Sequence, residues 1–319
     1  MGDSEGFAEP WLAFEKQIGQ RFLLYGPIEK ANDQYLEFGG LLVSKLTFPA
    51  PDASVKTEDK EISPGLKVRI YTPPNYSGNK PVCLFFHGGG WAMGDLEGED
   101  GQCRYVSKEA GVVVVSVDYR LAPANPYPIP FDDCFIGYEW ALKNSASLKT
   151  TPNQAFTFGT SAGANLALAV ALKVIDEGRG DTLKGVVAVV PVTIDPAEVP
   201  AELKSKYTSY AEHDEHTINT GKAMKMFFDA YGADGKDPYV SPLLHKKLKE
   251  LPKVYIAVSS QDTLRDDGSV PTVYDEYLGY PHWFWAYPSE HLKEPIAEYN
   301  RNLKKGFDFV LSPTRSNKI

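Results

Sequence analysis

The sequence has few cysteines. Only Cys83, Cys103 and Cys134 occur in 319 residues, and they form no close-spaced motif. An odd and sparse count suits neither a disulfide framework nor a zinc site. Cys83 and Cys134 lie among apolar residues, which is typical of buried thiols without a redox or metal role.

Clustered positive charge is also scarce. The chain has 33 Lys and Arg residues against 42 Asp and Glu residues, a formal net charge of -9. The densest basic run, Lys246 to Lys249, has the character of a solvated turn. Nucleic acid binding needs clustered Lys and Arg, so we expect no nucleic-acid partner.

Long apolar runs are missing as well. No run approaches the roughly 18 residues that a membrane-spanning helix needs. The first ten residues lack the basic and apolar regions of a signal peptide, and Gly6 stands where the myristoylation pattern has Ser or Thr. These absences predict a cytoplasmic protein without a membrane partner.

Short apolar runs rich in Val and Phe are frequent, and such runs are typical of parallel strands buried on both faces. We predict strands at Lys67–Tyr71, Val82–Phe86, Val112–Val117, Phe156–Phe158, Val186–Val190, Val254–Val258 and Trp283–Tyr287. Helical patterns occur at Asp132–Lys143, Ala162–Lys173 and Asp266–Leu278. Because strands alternate with helices, the sequence predicts an α/β fold with a mostly parallel central sheet.

Two segments interrupt this alternation. Residues 1–45 are helical in character, and no strand is evident in residues 196–245. We predict that 1–45 and 196–245 form a helical cap at the carboxyl edge of the sheet, with 46–195 and 246–319 as the core. The simpler alternative, that their apolar side chains only pack on the sheet, is compatible with this role.

A G-x-S-x-G pattern occurs at Gly159–Gly163. Alone it is a weak signal, but the strand Phe156–Phe158 precedes it and the helical run Ala162–Lys173 follows. This is the context of a nucleophile elbow, where a sharp turn leaves little room for side chains beside the serine. The turn also sets Ser161 at a helix N-terminus, which favours developing negative charge. Ser161 is therefore the candidate nucleophile.

Three consecutive glycines, Gly88, Gly89 and Gly90, lie just after an apolar strand. Ordering such a run is costly, because glycine loses much conformational freedom on folding. The run is expected where backbone N–H groups must approach a ligand closely. Acyl transfer needs these donors for the oxyanion of its tetrahedral intermediate. We predict an oxyanion hole formed by these three glycines and Ala162.

The acid of a catalytic triad should follow a late strand. Where the nucleophile sits on such an elbow, the acid and then the histidine come later in the chain. Asp262 lies just beyond the strand Val254–Val258. Asp266 and Asp267 are rivals, but both also suit the N-terminal cap of the predicted next helix.

The general base should follow the next strand. His291 comes after the predicted strand Trp283–Tyr287, whereas His282 comes before it, at the wrong end of the sheet. We therefore predict His291 as the base. The remaining histidines belong to the glycine loop or lie in or near the insertion: His87, His213, His216 and His245.

Four motifs occur in a fixed order along the chain. They are His87–Trp91 (HGGGW), Asp118–Pro123 (DYRLAP), Gly159–Gly163 (GTSAG) and Asp262–Asp266 (DTLRD). With these motifs the chain resembles the hormone-sensitive-lipase-like branch of the α/β hydrolases, from Lys67 to about Glu294. One departure is that Leu and Lys follow His291, where that family usually has a small residue and Phe.

This resemblance implies an α/β-hydrolase fold with a helical cap and the triad Ser161, Asp262 and His291. It implies oxyanion donors at Gly89 and Gly90, supported by Gly88, together with Ala162. It also implies a structural role for residues 119–123, next to the active-site loops.

We predict a serine carboxylesterase that acts through an acyl-enzyme on Ser161, without a metal or an organic cofactor. Its partner would be a small-molecule substrate, a small to medium apolar ester or lactone. The sequence does not decide whether the protein forms a homodimer. One alternative is an amidase, or a biosynthetic acyl-transfer or lactone-processing enzyme with the same triad. The other is a non-catalytic small-molecule receptor on this fold, a class that lacks the catalytic histidine.

Overall fold

A computed structural model describes residues 5–216, 218–268 and 273–313. Its strands form one sheet in the order β1-β2-β4-β3-β5-β6-β7-β8. They are β1 Lys56–Ser63, β2 Leu66–Thr72, β3 Val82–Phe86, β4 Val114–Asp118, β5 Ala155–Thr160, β6 Leu183–Val189, β7 Val254–Ser259 and β8 Val273–Tyr277. β2 runs antiparallel to both of its neighbours, β1 and β4, and the other pairs are parallel, so the predicted mostly parallel sheet is confirmed.

Helices cover both faces of this sheet. They are α1 Glu9–Ile18, α2 Ala31–Lys45, α3 Asp100–Ala110, α4 Ile129–Lys143, α5 Ser145–Leu148, α6 Ala162–Asp176, α7 Ser209–Glu212, α8 Gly221–Tyr231 and α9 Lys293–Leu311. Alternate residues of β3 enter two separate cores. Leu84 and Phe86 pack with α4 and α6 in the first core, whereas Cys83 and Phe85 pack with α3 and α9 in the second core. Burial on both faces explains why the central strands are continuously apolar.

The predicted strand at Trp283–Tyr287 is wrong. This segment contains a 3₁₀ turn, Phe284–Ala286, and its apolar run reflects aromatic side chains packed into the second core. The last strand is β8, which lies inside the segment predicted as the helix Asp266–Leu278. β8 is at the edge of the sheet, where Tyr274 and Glu276 are exposed, so no apolar run identifies it.

The N-terminal segment and the insertion meet each other. The Leu24 N–H donates to the carbonyl oxygen of Ile218 at 3.2 Å. The Thr220 hydroxyl donates to the carbonyl oxygen of Leu24 at 3.1 Å. The two segments predicted as a cap are thus hydrogen-bonded, while the division of the chain at 45, 195 and 245 stays a prediction.

A membrane-spanning segment is not found in the described ranges, where every helix is too short or too polar to cross a bilayer.

Candidate active site

Ser161 occupies the sharp turn between β5 and α6. Its backbone has φ 56° and ψ -119°, a conformation that a non-glycine residue rarely adopts. The Ser161 N–H donates to the carbonyl oxygen of Val189 at 2.8 Å, which ties the turn to β6. The side chain is held at the N-terminus of α6, and the residue is 8% exposed.

The two flanking glycines are required by close backbone contacts. A Cβ atom at Gly159 would lie 2.2 Å from the carbonyl oxygen of Gly163. A Cβ atom at Gly163 would lie 2.0 Å from the carbonyl oxygen of Phe86. Both distances are far below van der Waals contact, so the lack of space expected from the G-x-S-x-G pattern is present in the fold.

Asp262 is paired with His282. The Nδ1–H of His282 donates to Asp262 Oδ2 at 2.6 Å, and these residues are 6% and 0% exposed. Since Nδ1 carries the proton in this bond, Nε2 of the neutral ring is left as an acceptor. His282 and Ser161 line the same cavity.

The structure contradicts the prediction of His291 as the base. His291 is exposed in a 3₁₀ turn, Glu290–Leu292, beyond the loop that carries His282. The error follows from the misplaced last strand, because the chain leaves β8 at Tyr277 and reaches His282 first. His282 is followed by Trp283 and Phe284, which is nearer the family pattern than the residues after His291.

The second oxygen of Asp262 has its own donors. Asp262 Oδ1 accepts the Leu264 N–H at 2.9 Å and the side-chain amide of Asn219 at 3.0 Å. Asn219 belongs to the insertion and is 4% exposed. A residue of the predicted cap therefore helps to fix the carboxylate, a contact that no sequence motif indicates.

The rival acids have structural contacts instead. The Asp266 carboxylate accepts the Thr208 N–H at 2.7 Å, and the Asp267 carboxylate accepts the Thr193 N–H at 2.8 Å. Both thus hold backbone of the segment that follows β6. Asp262 remains the residue that contacts the histidine.

The glycine loop presents free backbone donors. Within the described ranges, no acceptor takes the N–H of Gly89, Gly90 or Ala162. The prediction of Gly88 as a further donor is contradicted, because its N–H already donates to Glu99 Oε2 at 2.7 Å. An N–H that is directed at this carboxylate is not available to a substrate oxygen.

The DYRLAP segment supports this loop. The Tyr119 hydroxyl donates to the carbonyl oxygen of His87 at 2.8 Å, and the two rings stack 4.1 Å apart. The Ala122 N–H donates to the carbonyl oxygen of Trp91 at 3.0 Å. The structural role implied for residues 119–123 matches these contacts.

The cavity at Ser161 lies between the core and the predicted cap. Apolar side chains from both cap segments line it: Leu24, Tyr35, Ile218, Met224 and Phe227. Other aromatic residues of the N-terminal segment do not reach it. Trp11, Phe14 and Phe38 are buried in the second core instead.

No site for a metal ion is evident in the part of the chain that the structure describes, since no three His, Cys, Asp or Glu side chains cluster suitably.

Together, the elbow, the glycine loop and the buried Asp–His pair define a hydrolase of the α/β-hydrolase fold. A family model described as alpha/beta hydrolase fold matches residues 83–272, more than half of the sequence. The chain therefore belongs to the α/β-hydrolase family.

Curated relatives agree with this assignment. The chain is 43% identical over 299 residues to a versiconal hemiacetal acetate esterase of Aspergillus parasiticus, covering 90% of this chain and 93% of the relative. It is 46% identical over 284 residues to an esterase of the same name from Emericella nidulans, covering 85% and 96%. The predicted class, a hydrolase of ester bonds, is confirmed.

A solved structure is similar along almost the whole chain. The crystal structure of vibralactone cyclase has a TM-score of 0.82 and 26% sequence identity, covering 98% of this chain and 97% of that chain. The predicted α/β-hydrolase architecture is confirmed at the level of the fold.

Proposed function

We propose that the protein is a serine carboxylesterase with Ser161 as nucleophile, His282 as general base and Asp262 as the group that orients His282. His282 Nε2 takes the hydroxyl proton as Ser161 Oγ attacks the ester carbonyl. The tetrahedral intermediate collapses to an acyl-enzyme, and His282 returns the proton to the leaving alcohol. Water then attacks the acyl-enzyme in the same way and releases the acid.

The oxyanion of that intermediate would be held by the N–H groups of Gly89, Gly90 and Ala162. Each preorganised donor in such a site typically contributes roughly 3–4 kcal/mol to transition-state stabilisation. The N-terminus of α6 adds its positive dipole end at the same place. This chemistry needs neither a metal nor an organic cofactor.

One observation carries the proposal: the buried 2.6 Å bond between His282 and Asp262, on the wall of the cavity that contains Ser161. The test is p-nitrophenyl acetate turnover by the wild type and by Ser161→Ala. We expect a loss of at least about 10³-fold in kcat. A fluorophosphonate probe should label the wild type and spare the variant. An unlabelled, folded wild type would contradict the proposal and favour the receptor alternative.

We propose that the acyl group is short. The cavity wall at Ser161 is mainly apolar, and the two fungal relatives are named as acetate esterases. An acyl series from acetyl to decanoyl tests this idea, with kcat/KM expected to fall by at least about tenfold along the series. A maximum at decanoyl would contradict it.

Lactone processing is the second candidate, because a similar structure is that of vibralactone cyclase. Matched ester, amide and lactone substrates distinguish these functions by their relative kcat/KM. A preference for the amide would instead support the amidase alternative.

We further propose a cytoplasmic location, which the unpaired state of the three buried cysteines supports. A homodimer remains a hypothesis, and light scattering on the purified protein tests it directly.

A further inference from the structure

Glu99 stands at the start of α3 but does not cap that helix. Its side chain makes no hydrogen bond to the first turn of the helix. It turns back to the glycine loop, where Oε2 accepts the Gly88 N–H at 2.7 Å. The residue is only 8% exposed, so this carboxyl group is buried beside the loop.

A second contact fixes the next peptide of the loop. His87 Nδ1 lies 2.7 Å from the carbonyl oxygen of Gly88, and a carbonyl can only accept, so Nδ1 carries the proton. Burial lowers the pKa of His87 to about 4, which keeps the ring neutral in this role. Both peptide groups that flank Gly88 are therefore held, one by Glu99 and one by His87.

The orientation of Gly89 follows from these two contacts. The Gly88 carbonyl and the Gly89 N–H belong to one planar peptide and point in opposite directions. Holding the carbonyl towards His87 therefore directs the Gly89 N–H to the other side. Glycines have many accessible conformations, so a glycine loop does not keep one arrangement without such contacts.

Gly88 is also close to the nucleophile. A Cβ atom on Gly88 would lie 3.1 Å from the carbonyl oxygen of Thr160 and 3.6 Å from Ser161 Cβ. A rotation of this peptide would change the distance between the loop donors and the reacting carbonyl. Glu99, which lines the same cavity, is thus placed to control that distance.

We propose that Glu99 is a positioning residue: its carboxyl oxygen fixes the Gly88 N–H and, together with His87, directs the Gly89 N–H at the substrate oxyanion. This inference rests on the proposed function. The hydrogen bond needs only a carboxyl or amide oxygen and not a charge. Burial raises the pKa of Glu99 to about 7, so a neutral carboxyl group is accessible near neutral pH.

The test compares Glu99→Ala, Glu99→Asp and Glu99→Gln with the wild type on p-nitrophenyl acetate. Ala removes the acceptor and Asp shortens its reach, so both should lower kcat about 10- to 100-fold with KM changed less than about threefold. Gln keeps an acceptor oxygen at the same reach and should restore kcat to within about threefold of the wild type.

Glu97→Ala is the matched control, since Glu97 is an acidic neighbour with a 71% exposed side chain. It should leave kcat within twofold. A trifluoromethyl ketone, which forms a tetrahedral adduct with the serine, provides a second measurement. Its inhibition constant should rise in Ala and Asp by the same factor as kcat/KM falls.

Several results would overturn this role. They are unchanged kcat in both Ala and Asp, an equal loss in Gln and Ala, or a loss confined to KM. If Glu99→Ala does not fold in a thermal melt, Asp and Gln decide by the same criteria. Failure of the proposed function is distinguishable, because it would appear as an inactive and unlabelled wild type.

Discussion

The two sides of the cavity are encoded in different ways. On one side, the elbow and the glycine loop rely on positions where a side chain would overlap backbone atoms, such as Gly163 against Phe86. On the other side, His282 is placed by where an exposed edge strand ends, at Tyr277. Steric requirements leave a local pattern in the sequence, whereas the length of an edge strand does not. The first side is therefore readable without a structure, and the second is not.

The largest expected effect separates the two histidines. His282→Ala should reduce kcat on p-nitrophenyl acetate by about 10⁴-fold or more, because it removes the group that accepts the Ser161 proton. His291→Ala should leave kcat within about twofold, since His291 is exposed and lies outside the cavity. Steady-state kinetics on both purified variants measure the difference.

Thermal melts show that either variant is folded before its rate is interpreted. If His291→Ala lost activity and His282→Ala did not, the pairing of Asp262 with His282 would have no catalytic meaning. The assignment from the sequence would then be restored.

The second prediction concerns the elbow. Gly163→Ala should destabilise the protein by about 3 kcal/mol or more, because its Cβ would lie 2.0 Å from a backbone oxygen that cannot move aside cheaply. Gly101→Ala is the control: nothing lies within 4 Å of its Cβ position in α3, and alanine there should stabilise by up to about 1 kcal/mol. Urea denaturation gives both free energies of unfolding. Equal stabilities would show that the elbow tolerates a side chain.

The central strands were predictable because they are buried on both faces and form apolar runs. The edge strands β1 and β8 were not, since β1 reads KTEDKEIS and its residues are mostly exposed. Because β8 was missed, the predicted base became His291, nine positions beyond the histidine that contacts Asp262, His282. The sequence itself argues against a helix at Asp266–Leu278, because it contains Pro271 and proline interrupts helices. Pro271 lies outside the described residues.

Contacts between segments that are distant along the chain also could not be predicted from the sequence. Glu99 removes Gly88 from the predicted oxyanion donors, and Asn219 reaches Asp262 from 43 positions away. Both contacts depend on how separate segments pack, and neither has a spacing that a local pattern could show. Ser161 could be predicted from a short motif, and Asp262 could be predicted because it follows the end of a buried strand.

The third prediction tests the contact from the insertion. Asn219→Ala should lower kcat about tenfold, because Asp262 loses one of the donors that hold its carboxylate and the histidine becomes less well oriented. Asn32→Ala, an exposed position at the start of α2, is the control and should have no effect on kcat. A decrease in kcat of less than twofold for Asn219→Ala would mean that the Leu264 N–H alone fixes the acid.

The smallest expected effect belongs to Tyr119, which supports the glycine loop through one buried hydrogen bond to His87. Tyr119→Phe should cost about 1 kcal/mol of stability, since it leaves the carbonyl of His87 without this donor, and kcat should fall less than about threefold. Tyr76→Phe is the control. It removes a 3.3 Å bond from a tyrosine to a backbone carbonyl in an exposed setting, where water replaces the donor, and it should cost less. Because the ring of Tyr119 stays stacked on His87, the loop should keep its position. A larger loss of kcat than of stability would therefore show that the hydroxyl itself sets the geometry of the oxyanion donors.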